Sequence, residues 1–303
     1  MNRRNLLKAS FAATTIGSFA GSSTAGNSPT KPGRPDDLVQ GSGGAQLFVR
    51  DWGTGRPILF LAAWCLTSDA WAYQMLAAKE QGFRAIAYDR RGHGRSNDPG
   101  RGYDYDSLAD DLAAVIRERG LTGVTLVSHS MSSGEVARYF SRHGGRGIQR
   151  VLFVAPTTPF LMKTADNPQG FPQEAMAAGR SRLLPDFAGR IASQIGPFFT
   201  PETSPAMVEW IKAIMNQTSL LAVTEIARLM QETDFRPDLA AMKVPTLVIH
   251  GSKDASAPLE ITGRRTAAII PDATLKIYDG APHGLPLTHA EMFNRDLIMF
   301  ARS

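Results

Sequence analysis

The sequence predicts an α/β protein: a doubly wound, mainly parallel sheet covered by helices on both faces, with a helical segment inserted in it. Three observations predict it. From residue 45 onward, apolar runs rich in β-branched residues alternate with helical patterns, as in successive βαβ units. The runs are almost continuously apolar, which suits strands buried on both faces. One interval, 157–244, breaks the alternation with helical pieces alone. The composition agrees: 43% hydrophobic and 20% charged residues over 303 positions exclude disordered, collagen-like and coiled-coil chains.

The first segment, 1–25, stands apart from this pattern. Arg3, Arg4 and Lys8 precede an apolar, small-residue run from Ala9 to Ala20, and no acidic residue occurs before Asp36. A charged head followed by a short apolar stretch describes a cleavable export signal, and the paired arginines resemble the twin-arginine type. Ser18-Phe19-Ala20 and Ser23-Thr24-Ala25 are both candidate cleavage sites. The run falls short of the roughly 18–20 apolar residues of a spanning helix, so no stable membrane anchoring is expected. The expected location is periplasmic or secreted. Without Arg3, Arg4 and Lys8, 30 basic residues face 28 acidic ones, a net +2. No basic run longer than two remains, so nucleic acid is not expected as a partner. Residues 26–44, which include three prolines before Asp36, are expected to be a linker to the domain at 45–303.

Within that domain the strands are expected at 46–51, 57–62, 83–88, 123–128, 150–155, 245–250 and 273–278. Helices are expected at 70–81, 105–119, 134–143, 259–269 and 289–301. The interval 157–244 adds helical pieces at 172–183, 186–195, 205–215 and 219–232. They carry Phe171, Met176, Phe187, Phe198, Phe199, Met207 and Met215. An apolar insertion at the C-terminal edge of a parallel sheet suits a lid over a site. A second helical domain with its own core is the other reading.

The chemistry-bearing residues lie beyond strand ends, where open α/β sheets place their sites. Ser128-His129-Ser130-Met131-Ser132 joins a strand to a helix through small residues, the setting of a nucleophile elbow, with serines where the glycines of G-x-S-x-G usually stand. Ser132-x-x-Glu135 is also a capping box, and both roles fit together. A serine hydroxyl needs a base, and the base an orienting acid. In chain order, Asp254 follows the strand at 245–250 and His283 follows the strand at 273–278. Asp279 is the alternative acid. His93, His129, His143, His250 and His289 are assigned structural or solvated places, with His129 directed away from the nucleophile. The oxyanion donors are expected to be the backbone N–H groups of Met131 and Trp64. A single cysteine, Cys65, excludes an intramolecular disulfide and a multi-cysteine metal site.

Several further runs make the resemblance specific: Arg50-Asp51-Trp52-Gly53, Asp89-Arg90-Arg91-Gly92-His93-Gly94-Arg95-Ser96, Ala109-Asp110-Asp111-Leu112, Gly134-Glu135-Val136-Ala137-Arg138-Tyr139 and Lys163-Thr164-Ala165-Asp166-Asn167-Pro168. Together they resemble the cofactor-free bacterial haloperoxidase (non-haem chloroperoxidase)/arylesterase branch of the α/β-hydrolase fold, over about residues 45–303. The resemblance implies a serine hydrolase of small carboxylic esters, aryl esters or lactones, with neither metal nor cofactor. It also implies a peroxide-dependent perhydrolase side activity, a triad of Ser130, Asp254 and His283, and oxyanion donors at Trp64 and Met131. The chain departs from the pattern at Ala62-Ala63, where His-Gly is usual, and at Cys65, commonly Pro. Those changes bear on perhydrolysis more than on hydrolysis. Cys65 and Phe160 are expected at the substrate pocket, with a small buried apolar role as the alternative for Cys65. A C–C bond hydrolase using the same triad, and a binding protein that kept the scaffold without turnover, are the competing functions. Oligomeric state has no signal in the sequence.

Overall fold

Apolar residues in the strands divide by parity. Ile58 and Phe60 enter one buried cluster while Leu59 and Leu61 enter another, and Leu126 and Val127 part in the same way. This is the period-two alternation of a sheet with a core on each side. A computed structural model describes residues 37–303, which fall in one compact unit. The leader expected at 1–25 and the first part of the linker lie outside the described residues.

The strands are β1 (Leu38–Gln40), β2 (Gln46–Trp52), β3 (Pro57–Leu61), β4 (Arg84–Tyr88), β5 (Val124–His129), β6 (Ile148–Val154), β7 (Thr246–Gly251) and β8 (Ala273–Tyr278). They form one sheet in the order β1-β2-β4-β3-β5-β6-β7-β8. β1 and β2 are antiparallel to their neighbours, and every pairing from β4 to β8 is parallel. The order doubles back at β3 and β4, so crossover helices cover both faces.

The helices between the strands are α1 (Ala72–Glu80), α2 (Tyr105–Glu118) and α3 (Ser132–His143). Then follow α4 (Gln173–Ser181), α5 (Phe187–Gln194), α6 (Pro205–Met215), α7 (Leu220–Glu232) and α8 (Arg236–Ala240), all between β6 and β7. The chain ends in α9 (Gly263–Ile269), α10 (Leu285–Thr288) and α11 (Ala290–Arg302). Local chemistry explains several starts. Asp104, Asp186, Ser204 and Ser219 each accept a backbone N–H from the first turn of α2, α5, α6 and α7, a cap worth about 1 kcal/mol.

The structure bears on domain layout at two points: it corrects one expectation and decides between two readings. The linker does not extend to residue 44. β1 pairs Val39 with Leu47, and Ser42 accepts from Arg91 Nη2 and donates to Asp111. A three-residue edge strand carries too little alternation to stand out in sequence. Second, the insertion has no core of its own among the described residues. Ile191, Ile211 and Ile214 join the cluster of α1 and α11, and Ala222, Ile226 and Phe235 join that of α2 and α3. Burying each such side chain is worth about 1.5–3 kcal/mol, so α5, α6 and α7 are bound to the sheet domain.

Candidate active site

Ser130 stands between β5 and α3 at φ +60°, the left-handed region that a β-carbon disfavours. Its N–H donates to Val154 O at 2.9 Å, and its carbonyl accepts from Ser133 N at 3.0 Å and Ser133 Oγ at 2.7 Å. These bonds over-determine a conformation that is otherwise costly. Cys65 (φ +61°) and Ala155 (φ +44°) share it. All three positive-φ residues other than glycine among those described lie just past the ends of the central strands β3, β5 and β6.

The serines at the elbow's glycine positions have different fates. Ser132 Oγ donates to Leu61 O at 3.1 Å and accepts from His129 N at 3.0 Å, lacing the elbow to β3. Ser128 is fully buried, and its hydroxyl has no partner among the described residues. The expected capping box does not form: Ser132 is the first residue of α3, and no side chain caps that helix. Glu135 instead pairs with Arg90 in the core, where a buried guanidinium draws the carboxylate away from the helix start. Arg90 Nη2 also donates to Ala62 O at 2.8 Å. This bond tethers the loop after β3, where the usual His-Gly pair is missing.

Asp254 follows β7 and is buried. Its Oδ1 accepts from Ser256 N at 2.9 Å and Ala257 N at 2.8 Å, and its Oδ2 lies 2.7 Å from His283 Nδ1. Burial pushes the carboxyl pKa up. The facing His283, hydrogen bonds from His250 and His283, and the Ala257 N–H outweigh it, so the group ionises well below the usual carboxylate range. The loops of Asp254 and His283 meet closely. Lys253 N donates to Ala281 O at 3.1 Å, and a β-carbon on Gly251 would stand 2.1 Å from that oxygen. Only glycine permits that approach. Asp279, the alternative acid, is exposed and accepts from Ser252 Oγ at 3.0 Å instead.

Ser130 and His283 line the same cavity of about 490 Å³. The Ser130 hydroxyl makes no hydrogen bond within the described chain, and its facing wall comes from the insertion through Ile191, Ile195, Phe198, Met215 and Met230. Trp64 also lines the cavity. The backbone N–H groups of Trp64 and Met131 have no acceptor among the described residues. The Trp64 indole donates to Val223 O at 3.1 Å, tying this loop to α7. Gly284 N donates to Phe198 O at 3.0 Å, tying the His283 loop to the segment after α5.

Two expected pocket residues do not line the cavity. Cys65 is fully buried in the turn after β3, its thiol pKa pushed well up by burial, and its carbonyl accepts from Thr218 Oγ1. The turn that exposes the Trp64 N–H places the next side chain in the core. Phe160 is also buried, beneath the Arg236 guanidinium at 5.5 Å. Of the residues just after β6, Thr157 lines the cavity and Phe160 does not; most of the facing wall comes from the insertion further along the chain.

His129 takes a structural place, directed away from the Ser130 hydroxyl as strand alternation expects, but it is packed against the site. Its Nε2–H donates to His283 O at 3.0 Å, and the two rings lie 5.0 Å apart. Alternation does point it away from Ser130, but the loop of His283 closes over that same face. Burial and the neighbouring His283 depress its pKa to about 3. His250 reaches Asp254, with Nε2 3.2 Å from Oδ2. The only sequence signal for either residue was a polar ring in an otherwise apolar strand. The remaining histidines lie elsewhere: His93 is buried and bonded to Arg91 O, His143 to Asp110 and His289 to Thr288.

The family model for the alpha/beta hydrolase fold matches residues 56–290. The chain is 38% identical over 266 residues to the non-heme chloroperoxidase CPO-A1 of Kitasatospora aureofaciens, covering 85% of this chain and 96% of that one. It is 35% identical over 271 residues to the bifunctional esterase/perhydrolase DCH of Acinetobacter calcoaceticus, covering 86% and 97%. The crystal structure of a bromoperoxidase from Bacillus anthracis superposes with a TM-score of 0.84 at 34% identity, over 88% of this chain and 99% of that one. An eight-stranded sheet of this order, a serine at a strained strand–helix turn and these likenesses lead to one conclusion. The chain belongs to the alpha/beta hydrolase family, among the relatives of the non-heme chloroperoxidases and haloperoxidases.

Proposed function

We propose that the protein hydrolyses small carboxylic esters, aryl esters or lactones through an acyl-enzyme on Ser130. The observation that carries this reading is the Asp254–His283 pair, 2.7 Å apart, beside a cavity shared with a serine held at φ +60°. In the first step Ser130 Oγ attacks the carbonyl carbon while His283 Nε2 takes its proton. The N–H groups of Trp64 and Met131 stabilise the oxyanion. As the oxyanion collapses, the bond to the leaving alkoxide breaks and the His283 proton passes to it. Water then attacks the acyl-enzyme by the same route, returning the proton to Ser130. Asp254 holds the imidazole in the tautomer that leaves Nε2 free to accept.

No Lys, Arg, Asp or Glu is among the residues lining the cavity. A charged acyl group would lose its water there without a partner, which favours uncharged substrates with an apolar acyl part. The five helices between β6 and β7 would act as a lid. The relative named as an esterase/perhydrolase favours a second activity on the same acyl-enzyme, in which hydrogen peroxide replaces water and leaves as a peracid.

A fluorophosphonate probe tests the nucleophile. The wild-type protein labels at Ser130, and Ser130→Ala does not. Absence of labelling, or labelling that survives the substitution, sinks the assignment. Bromination of a halide acceptor that needs both peroxide and a short carboxylic acid tests the second activity. Export on Arg3 and Arg4 is part of the proposal, and the Arg3→Lys, Arg4→Lys variant is expected to stay in the cytoplasm.

A further inference from the structure

His250, the penultimate residue of β7, is fully buried and does not line the cavity. Its Nε2 lies 2.8 Å from Ala257 O and 3.2 Å from Asp254 Oδ2. A carbonyl oxygen only accepts, so Nε2 carries the proton. Nδ1 is buried with no hydrogen-bond partner among the described residues. The geometry therefore provides a partner for an N–H at Nε2 and none at Nδ1.

Asp254 accepts three well-formed N–H hydrogen bonds, two on Oδ1 from the backbone of its own turn and one on Oδ2 from His283. His250 Nε2, whose one hydrogen goes first to Ala257 O, makes a longer contact of 3.2 Å with the same Oδ2. This placement of the ring is built into the packing. α9 begins at Gly263, where a β-carbon would lie 2.2 Å from His250 Nδ1. Any side chain there would displace the ring. Thr262 Oγ1 donates to Ala257 O at 3.2 Å and to Pro258 O at 2.8 Å, stapling the turn that carries both of His250's acceptors.

We propose that His250 is a positioning residue: its Nε2–H anchors Ala257 O in the turn whose backbone N–H groups hold Asp254 Oδ1, and the same N–H edge, 3.2 Å from Oδ2, fixes the rotation of the carboxylate and tempers its charge. The inference rests on the function proposed above for His283. The titratable groups facing His250 are Asp254 on its own turn and His283 and His129 across the site. On the packed elements, Arg264 of α9 pairs outward with Glu260, and Lys276 of β8 pairs with Asp296. Neither disturbs the Asp254 carboxylate. Removing the His250 donor leaves Oδ2 a stronger acceptor for His283 and a less constrained one. The acid limb of the rate profile should then move to higher pH while turnover falls.

The test compares His250→Leu, His250→Gln and Gly263→Ala with the wild-type protein. Glutamine places an amide N–H near the position of Nε2, whereas leucine fills the space without a donor. In His250→Leu, kcat is expected to fall about tenfold, the worth of one hydrogen bond to a charged group, with KM changed by less than about twofold. His250→Gln is expected to restore most of kcat and the position of the acid limb. Gly263→Ala, which keeps the histidine but displaces its ring, is expected to behave like His250→Leu. The NMR signal of the proton between His283 Nδ1 and Asp254 is expected to move downfield in His250→Leu and to return in His250→Gln. That signal requires no turnover, so it decides the inference even if the proposed ester chemistry fails. An unmoved signal and acid limb in His250→Leu overturn it. So does an equal loss of kcat in the leucine and glutamine variants. If His250→Leu does not fold, the contrast between His250→Gln and Gly263→Ala decides, and identical behaviour of those two overturns it.

Discussion

The side chain of His129 donates a 3.0 Å hydrogen bond to the backbone oxygen of His283, while their rings face each other 5.0 Å apart. The residue before the nucleophile thus anchors the backbone of the residue that would activate it. His129→Leu keeps the volume and removes the bond. Steady-state kinetics on a soluble ester should show kcat reduced about fivefold, the worth of one net hydrogen bond near 1 kcal/mol, with KM within about twofold. An unchanged kcat would falsify this anchoring.

Acid should destabilise the fold earlier than its carboxylates alone would cause. His93 and His129 are held near pKa 3 by burial, helped by Arg90 and His283 respectively, against 6.5 for a free imidazole. Their folded values are depressed, so stability is complete above about pH 6.5 and falls as pH drops towards about 3, where the unfolded chain binds the protons first. Each contributes on the order of 4 kcal/mol across that window. Asp254 adds a loss below pH 4 in the same direction, since its folded value is also lowered. Urea unfolding from pH 7 to pH 4 should show this slope, and His93→Phe should reduce it by about one proton.

Glu135 and Arg90 form a buried ion pair that also holds Ala62 O and Tyr88 Oη. Glu135→Leu leaves the guanidinium charge buried without its partner, and the expected loss is about 3–5 kcal/mol in chemical denaturation. A paired Arg90→Met, Glu135→Leu variant should lose less than the single substitution. Equal losses would mean that the pair itself matters little.

Trp64 links the loop after β3 to α7 through its indole N–H and Val223 O. Trp64→Phe removes that bond while keeping an aromatic ring against Phe187, whose centroid lies 6.3 Å away. A lid released at this point should raise KM about threefold to tenfold with a smaller change in kcat. Equal falls in kcat and kcat/KM would place the effect on the oxyanion loop instead.

Much of the fold was legible because it is written in local periodicity. The seven expected strands all form within about two residues of their expected ends, and the helix at 205–215 begins and ends where its Pro and Met predict. β1 was not, because three residues at a sheet edge carry almost no pattern. The short α8 was missed for the same reason.

At the site the division is similar. By itself the sequence determined that a serine sits on a strand–helix turn, and that a carboxylate and a histidine each follow a later strand. Those are properties of neighbouring residues. Only the tertiary structure decided that Asp254 rather than Asp279 meets His283 and that His129 supports the same loop. It alone showed that His250 Nε2 lies 3.2 Å from that carboxylate, and that Ile191, Met215 and Met230, rather than Cys65 and Phe160, line the cavity. The contact between His129 and His283 spans 154 residues of chain. Such contacts depend on strand order, on the strained turns past β3, β5 and β6, and on where a helical insertion folds back. A hydrophobic pattern fixes which face of an element is buried, not which distant residue it is buried against.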